Sequence, residues 1–285
     1  MKKLGILTTV ILALSLVLAP ITSSCSPANM SKLKVVTSTS LIASIVERVG
    51  GETVDVVNII PPAQCPGHFD VKPSDIQKLA DAELFLLHGW QGEQFSQELI
   101  DSANNPDLTT IMINASAGEN TNWMAPPVQM AAIDKITESL CQVSAENSTT
   151  YQNSAAELKS MIEAKGNELK ASLAQTDLAS INVMCAEQQT GFVKWVGLNV
   201  IATFGTPDSL TPQVVKELVD KGREAKVTLI IDNLQSGQDA GAGMAEELNC
   251  TRIILSNFPG GFDNTETWEK AIEKNIQLIL ETIAQ

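Results

Sequence analysis

The chain has 285 residues, 44% of them hydrophobic and 4% aromatic, with a formal charge of −14. Without Lys2 and Lys3 of the leader, the 19 basic residues become 17 against 33 acidic ones, a formal charge of −16; this argues against nucleic acid and against adsorption to anionic lipid. One Tyr and seven Phe leave little for a sugar-stacking platform, while about 260 residues beyond the leader suffice for two lobes with sizeable cores.

Lys2 and Lys3 precede an apolar run from Leu4 to Ile21, the pattern of an export signal over residues 1–24. A transmembrane anchor is the competing reading. Thr22-Ser23-Ser24-Cys25 resembles a bacterial lipoprotein cleavage box, with Thr22 where Leu is usual. Cleavage before Cys25, with acyl chains on its sulfur and its new amine, gives stable anchoring where a single chain is marginal. Residues 25–31 then form a lipidated tether.

From Leu33 onward short apolar strands alternate with amphipathic helices. Val36–Gly50 (VTSTSLIASIVERVG) and Val183–Gly197 (VMCAEQQTGFVKWVG) both read as strand, polar turn and helix closed by Val-Gly, at an offset of 147 residues. Each is followed by a second strand, a Pro-containing loop, a helix ending near Leu79-Ala80-Asp81 or Leu218-Val219-Asp220, and an apolar strand, Leu84–Leu87 or Val227–Ile231. Two similar lobes result, over residues 32–147 and 176–285. Between them, Ser148 to about Gln175 places Tyr151, Ala155, Leu158, Ile162, Leu169 and Leu173 at helical spacing with no Pro. At 1.5 Å per residue this linking helix, residues 148–175, is roughly 40 Å long. Lys165 falls where the apolar series expects a hydrophobe and Gly166 follows it, which leaves room for a mid-helix bend. The fold class is α/β: two pseudo-symmetric lobes with mostly parallel sheets joined by one long helix.

In open parallel sheets ligands bind beyond the carboxyl ends of the strands. The segments there are Thr37–Ser40, Pro61–Asp70, His88-Gly89-Trp90, Thr121–Met124, Cys185-Ala186-Glu187, Gly205–Asp208, Asp232-Asn233 and Ser256–Gly261. Cys65 and His68 stand three apart in a Pro/Gly-bounded loop, and Cys185 and Glu187 bracket a tight turn. Thiolate, imidazole and carboxylate together favour zinc or a softer ion over magnesium or calcium. A cysteine at a strand end also reads as a small buried residue, and His88 beside Gly89 as a group that caps a turn. Beyond Cys25, the cysteines are Cys65, Cys141, Cys185 and Cys250; none forms a CxxC pair, which excludes zinc-ribbon and thioredoxin readings. A Cys185–His nucleophile–base pair oriented by Asp232 is the enzymatic alternative. Neither a nucleophile elbow nor a phosphate loop occurs, so no enzyme is expected.

These segments together resemble the ABC-transporter solute-binding proteins for zinc and manganese, the lipoprotein receptors with a rigid linking helix. The likeness rests on Leu33–Gly50, Pro61–Asp75 ending in Pro73-Ser74-Asp75, His88-Gly89 where Asn-Gly is usual, Asn122-Trp123-Met124-Ala125-Pro126, Val183–Leu198, Leu229–Asn233 and Leu255–Gly261. The resemblance implies four metal ligands, one per loop. The first falls at His68, the second at Thr121, the third at Cys185 or at Ala186 beside Glu187, and the fourth at Ser256-Asn257. Imidazole and carboxylate are lost at the second and fourth. The expected metal set is therefore His68, Cys65, Cys185 and Glu187, with Cys65 and Cys185 as free thiols facing one cleft from opposing lobes.

The implied function is that of an exported lipoprotein, anchored to the bacterial envelope, that captures a divalent metal in the inter-lobe cleft. Zinc is expected, with Mn2+ or a softer ion as alternatives, and no organic cofactor. The implied partners are an ABC permease and its ATPase, with the receptor itself a monomer. The competing readings are a receptor for a chelated metal or small organic solute, and a surface adhesion protein.

Overall fold

The computed structural model describes residues 31–90 and 93–284; the export signal and Cys25 lie outside them. Strands β1 (Leu33–Thr37), β2 (Val54–Asn58), β3 (Leu84–Leu87) and β4 (Thr109–Met112) form one sheet in the order β2-β1-β3-β4. Strands β5 (Asn182–Ala186), β6 (Asn199–Phe204), β7 (Leu229–Asn233) and β8 (Thr251–Leu255) form a second in the order β6-β5-β7-β8. Every ladder in both sheets is parallel. The repeated strand order is the pseudo-symmetry that the sequence offset implies. The interior strands β3 and β7 are buried along their whole length, whereas the edge strands β2, β4, β6 and β8 are only partly covered, as sheets covered by helices on both faces require.

Helices α2 (Pro73–Ala80) and α3 (Phe95–Ala103) cover the outer face of the first sheet around Leu79, Phe85 and Leu99. Their counterparts on the second sheet are α7 (Pro212–Glu224) and α9 (Ala242–Leu248), around Met184, Ile230 and Met244, with the short helix α8 (Leu234–Gly237) between. The inner faces behave differently. Helices α1 (Ser40–Gly50), α4 (Pro126–Val143), α5 (Ser148–Leu173), α6 (Thr190–Val196) and α10 (Trp268–Ile283) enclose a single apolar core. It runs from Val35 through Ile136 and Ile162 to Val183 and Ile276 without a break between lobes. Opening the lobes widely would expose that layer at about 25 cal/mol per Å2 of apolar surface, so the architecture resists large hinge motion.

The linking helix α5 buries Tyr151, Ala155, Leu158, Ile162, Gly166, Leu169 and Leu173. The stripe passes through Gly166 rather than Lys165, and the helix is continuous from Ser148 to Leu173. Gly166 is there for close approach: a Cβ would lie 2.9 Å from Cγ of Pro126 at the start of α4. Lys165 turns outward to Glu168 (3.0 Å) and to Glu273 of α10 (3.4 Å).

Two strands extend two residues further than the sequence implies. Cys185 and Ala186 belong to β5, and Asp232 and Asn233 to β7, paired with Ile254 and Leu255. A buried aspartate is tolerated in mid-sheet because Arg252 Nη1 and the Gly241 amide both donate to its carboxylate at 2.7 Å. Burial pushes the Asp232 carboxyl up and Arg252 opposes that shift. Asp232 therefore holds β7 to β8 and α9, and orients no histidine.

Candidate functional site

The loops at the carboxyl ends of the two sheets meet face to face, and neutral amides make most of the contacts. Asn122 Nδ2 donates to the Gln188 carbonyl (2.7 Å) and to Asn257 Oδ1 (2.9 Å), and Asn257 Nδ2 donates to the same Gln188 carbonyl (3.0 Å). Asn120 Nδ2 donates to the Gly191 carbonyl at 3.0 Å. Position 191 must be glycine here, since a Cβ would collide with the Asn120 side chain. Gln235 Nε2 reaches the Pro62 carbonyl (2.9 Å) and Ser40 Oγ the Pro259 carbonyl (2.8 Å). The loop after β4 is pre-shaped for this clasp: Asn120 Oδ1 accepts from the Asn122 amide (2.9 Å) and Asn122 Oδ1 from the Met124 amide (2.8 Å), the side-chain turns that Asn favours.

His68 ends a single 3-10 turn, Pro66–His68, after β2. Its Nε2 stands 3.7 Å from Oδ2 of Asp208 in the opposing lobe, with the two side chains 69% and 84% exposed. Glu187, exposed just beyond β5, directs its carboxylate at Gly205, where a Cβ would lie 4.0 Å from Oε2. Gly205 and Asp208 belong to one loop after β6, so Glu187 and His68 each approach that loop. The sequence reading placed Asp208 in a cleft loop but not among the donors; nothing in its local sequence marks it, because only the opposing lobe brings His68 beside it.

Cys65 precedes the turn that carries His68 and is half-buried. Cys185 departs from expectation. As a residue of β5 it points into the shared core, its thiol faces Thr190 Oγ1 at 3.8 Å, and burial pushes that thiol up to about 11. It therefore does not join a metal set at the rim. Cys65, Cys141, Cys185 and Cys250 are all free. Among the described residues no three His, Cys, Asp or Glu side chains are already grouped to hold a metal ion. Of the other positions where the resemblance expects ligands, Thr121 is exposed and Asn257 is engaged in the amide clasp.

His88 lies fully buried behind the clasp. Its Nε2 pairs with Thr39 Oγ1 at 2.7 Å, its ring stacks on Trp90 (3.6 Å between centroids, 6°), and Trp123 packs edge-on at 4.5 Å. Trp90 in turn lies nearly parallel to Phe258 of the other lobe, at 6.3 Å and 9°. Beside them the buried Glu93 accepts from Ser38 Oγ and from the Gly89 amide (2.6 Å).

Burial lowers the pKa of His88 from 6.5 to about 3. Between those values the unfolded chain binds one proton more than the folded one. Stability is thus full above pH 6.5 and falls as pH drops toward 3, by about 1.4 kcal/mol per pH unit. Glu93 acts in the opposite sense, because burial raises its carboxyl. We expect His88→Asn to lose stability less steeply than the natural protein between pH 6.5 and 4. Chemical denaturation at a series of pH values reads this directly, and equal slopes would mean that His88 protonates in the folded state.

The chain matches the ZnuA family, described as zinc-uptake complex component A, periplasmic, over residues 35–282. It is 24% identical to the metal ABC transporter substrate-binding lipoprotein SsaB of Streptococcus sanguinis, with both chains covered completely. It is 29% identical to the manganese ABC transporter substrate-binding lipoprotein PsaA of Streptococcus pneumoniae, over 44% of this chain and 38% of the relative. In fold it is similar to the periplasmic zinc-binding protein TroA of Treponema pallidum (TM-score 0.76, 15% identity, 90% of this chain and 100% of the other). The Mn-bound periplasmic metal-binding protein of Candidatus Liberibacter asiaticus is as similar (TM-score 0.76, 18% identity, 88% and 100%). With two parallel-sheet lobes on one long helix and a match spanning nearly all of the described residues, the chain belongs to the ZnuA family: it is a substrate-binding protein of a metal ABC transporter and not an enzyme.

Proposed function

We propose that this protein captures a divalent metal ion, zinc ahead of manganese, at the rim of the inter-lobe cleft and delivers it to a permease driven by a cytoplasmic ATPase. The observation that carries this reading is the His68–Asp208 pair, contributed by opposite lobes at 3.7 Å. Two donors bound to one tetrahedral zinc at about 2.0–2.1 Å stand about 3.4 Å apart, so a small rotation of either exposed side chain admits the ion between them. Glu187, which approaches the loop that carries Asp208, is the third donor, and the Cys65 thiolate the fourth. An imidazole and a thiolate suit zinc better than manganese, which favours oxygen donors. Manganese stays in the comparison because PsaA is named for it.

Residues 1–24 serve as export signal, Cys25 carries the lipid anchor and 25–31 form its tether, in keeping with relatives named as lipoproteins. The lobes are 32–147 and 176–285, the linking helix is 148–175, and the receptor acts as a monomer. Calorimetric titration of the metal-stripped protein under reducing conditions tests the reading. Zinc should bind at least about tenfold more tightly than manganese. The reverse order would overturn the choice of ion, and binding of neither would overturn the site.

A further inference from the structure

We infer that Gln235 is a positioning residue for the metal site: from the second lobe it fixes the loop that carries His68 and Cys65. This rests on the metal reading above and adds the residue that sets where two of its four donors stand.

Gln235 lies in the short helix α8 and is only 5% exposed, yet both polar atoms of its side chain are fully used. Its Nε2 donates across the cleft to the Pro62 carbonyl and within its own lobe to Ser256 Oγ, both at 2.9 Å. Its Oε1 accepts from the Asn257 amide at 3.0 Å. This fixes the carboxamide in one orientation, because a flip would set its oxygen against the Pro62 carbonyl and its NH2 against the Asn257 amide. The anchor behind it is equally firm. Asn275 of α10, itself fully buried, accepts from the Ser256 amide (3.0 Å) and donates to the Ser256 carbonyl (2.7 Å). Pro62 is thus held by a hydrogen-bonded chain that begins in the core of the second lobe.

A second contact seats Pro62 from the same lobe. Gly260, with a φ of +77°, comes so close that a Cβ there would lie 3.2 Å from Pro62 Cγ. What holds Pro62 also holds His68, because the loop between them is stiff. Pro61 and Pro62 fix φ at its start. The Gln64 amide closes a turn on the Pro61 carbonyl (2.9 Å) and the His68 amide closes the next on the Cys65 carbonyl (3.1 Å). Gln64 Nε2 then joins the two turns by donating to the His68 carbonyl at 3.1 Å.

Helix α8 meets the other ligand loop as well. A Cβ on Gly237 would lie 2.7 Å from Cδ of Pro207, the neighbour of Asp208. One four-residue helix therefore touches both loops whose side chains, His68 and Asp208, stand 3.7 Å apart. It is the spacer between them. Metal–ligand distances hold to within about 0.2 Å, so a loop freed from this contact must be ordered again each time an ion binds.

The test uses the mature chain and Zn2+ alone. Gln235→Met keeps the length of the side chain and removes its donors. It should weaken zinc binding by about tenfold, the lower end of what losing a ligand-orienting partner costs. In the metal-free protein, hydrogen–deuterium exchange over residues 61–69 should quicken by at least about threefold, the weight of one hydrogen bond. In the His68→Ala background the same change should cost only about threefold, since one of the two donors it positions is gone. Gln235→Glu keeps the acceptor for Asn257 and loses the bond to Pro62. It should likewise quicken exchange and weaken zinc binding, and it serves if Gln235→Met fails to fold. A loss undiminished beside His68→Ala would make the role of Gln235 structural only. Zinc affinity within about twofold of the natural value, or unchanged exchange over residues 61–69, would overturn the positioning role and leave the metal reading standing. A natural protein that binds no zinc would overturn both.

Discussion

His68→Ala is expected to weaken zinc binding by roughly a hundredfold. Apparent zinc binding free energies of about 10–16 kcal/mol shared among four ligands amount to about 3 kcal/mol each, and every 1.4 kcal/mol is a factor of about ten in Kd. The side chain is 69% exposed, so the fold should survive the substitution. Asp208→Ala should produce a loss of the same order. Because the two residues serve one ion from opposite lobes, the double variant should lose less than the sum of the single losses. Competition against a zinc-sensitive dye reads all three proteins. A Kd for His68→Ala within threefold of the natural value, with Cys185→Ala binding nothing, would move the site away from the rim.

Trp268→Ala should be the most destabilising single truncation in α10, by about 4 kcal/mol. Large aromatic-to-alanine changes in cores cost about 3–5 kcal/mol through lost transfer energy and the cavity left behind. Trp268 is fully buried, and its Nε1–H donates to the Trp123 carbonyl at 2.9 Å, tying the second lobe to a loop of the first. Trp268→Phe keeps most of the volume and loses chiefly that hydrogen bond, at about 1–1.5 kcal/mol. Urea unfolding monitored by circular dichroism separates the two. Because one core spans both lobes, each variant should still unfold in a single transition. Two separate transitions, or a loss below about 1 kcal/mol for Trp268→Ala, would contradict a shared core.

The strands Leu84–Leu87 and Val227–Ile231 were legible in the sequence, to within two residues at their ends. Each is a short apolar run closed by Gly, Pro or polar residues, and that signal is local. The linking helix was legible for the same reason, through the spacing of Tyr151, Ala155, Leu158 and Ile162. Its one misreading, a stripe running through Lys165 rather than Gly166, came from treating glycine as a breaker. The packing partner, Pro126, lies 40 residues earlier, and nothing near Gly166 announces it.

The candidate site divides along the same line. Sequence by itself determined which loops gather at the carboxyl ends of the strands, because parallel α/β order dictates that placement. It also singled out His68, whose loop is set by nearby Pro and Gly residues. Only the tertiary structure decided which side chains from different lobes come within reach of one another. Cys185 went to the core because β5 continues through Ala186, turning a residue expected in a loop into an inward-facing strand position. Asp208 was brought to His68, and Asn122 and Asn257 to a shared carbonyl, by the docking of two sheets whose contact residues lie far apart in the chain, 66 positions for Asn122 and Gln188 and 135 for Asn122 and Asn257. Strand and helix periodicity follows from neighbours in the chain, whereas a cleft between lobes depends on how two finished surfaces pack, and no local spacing encodes that.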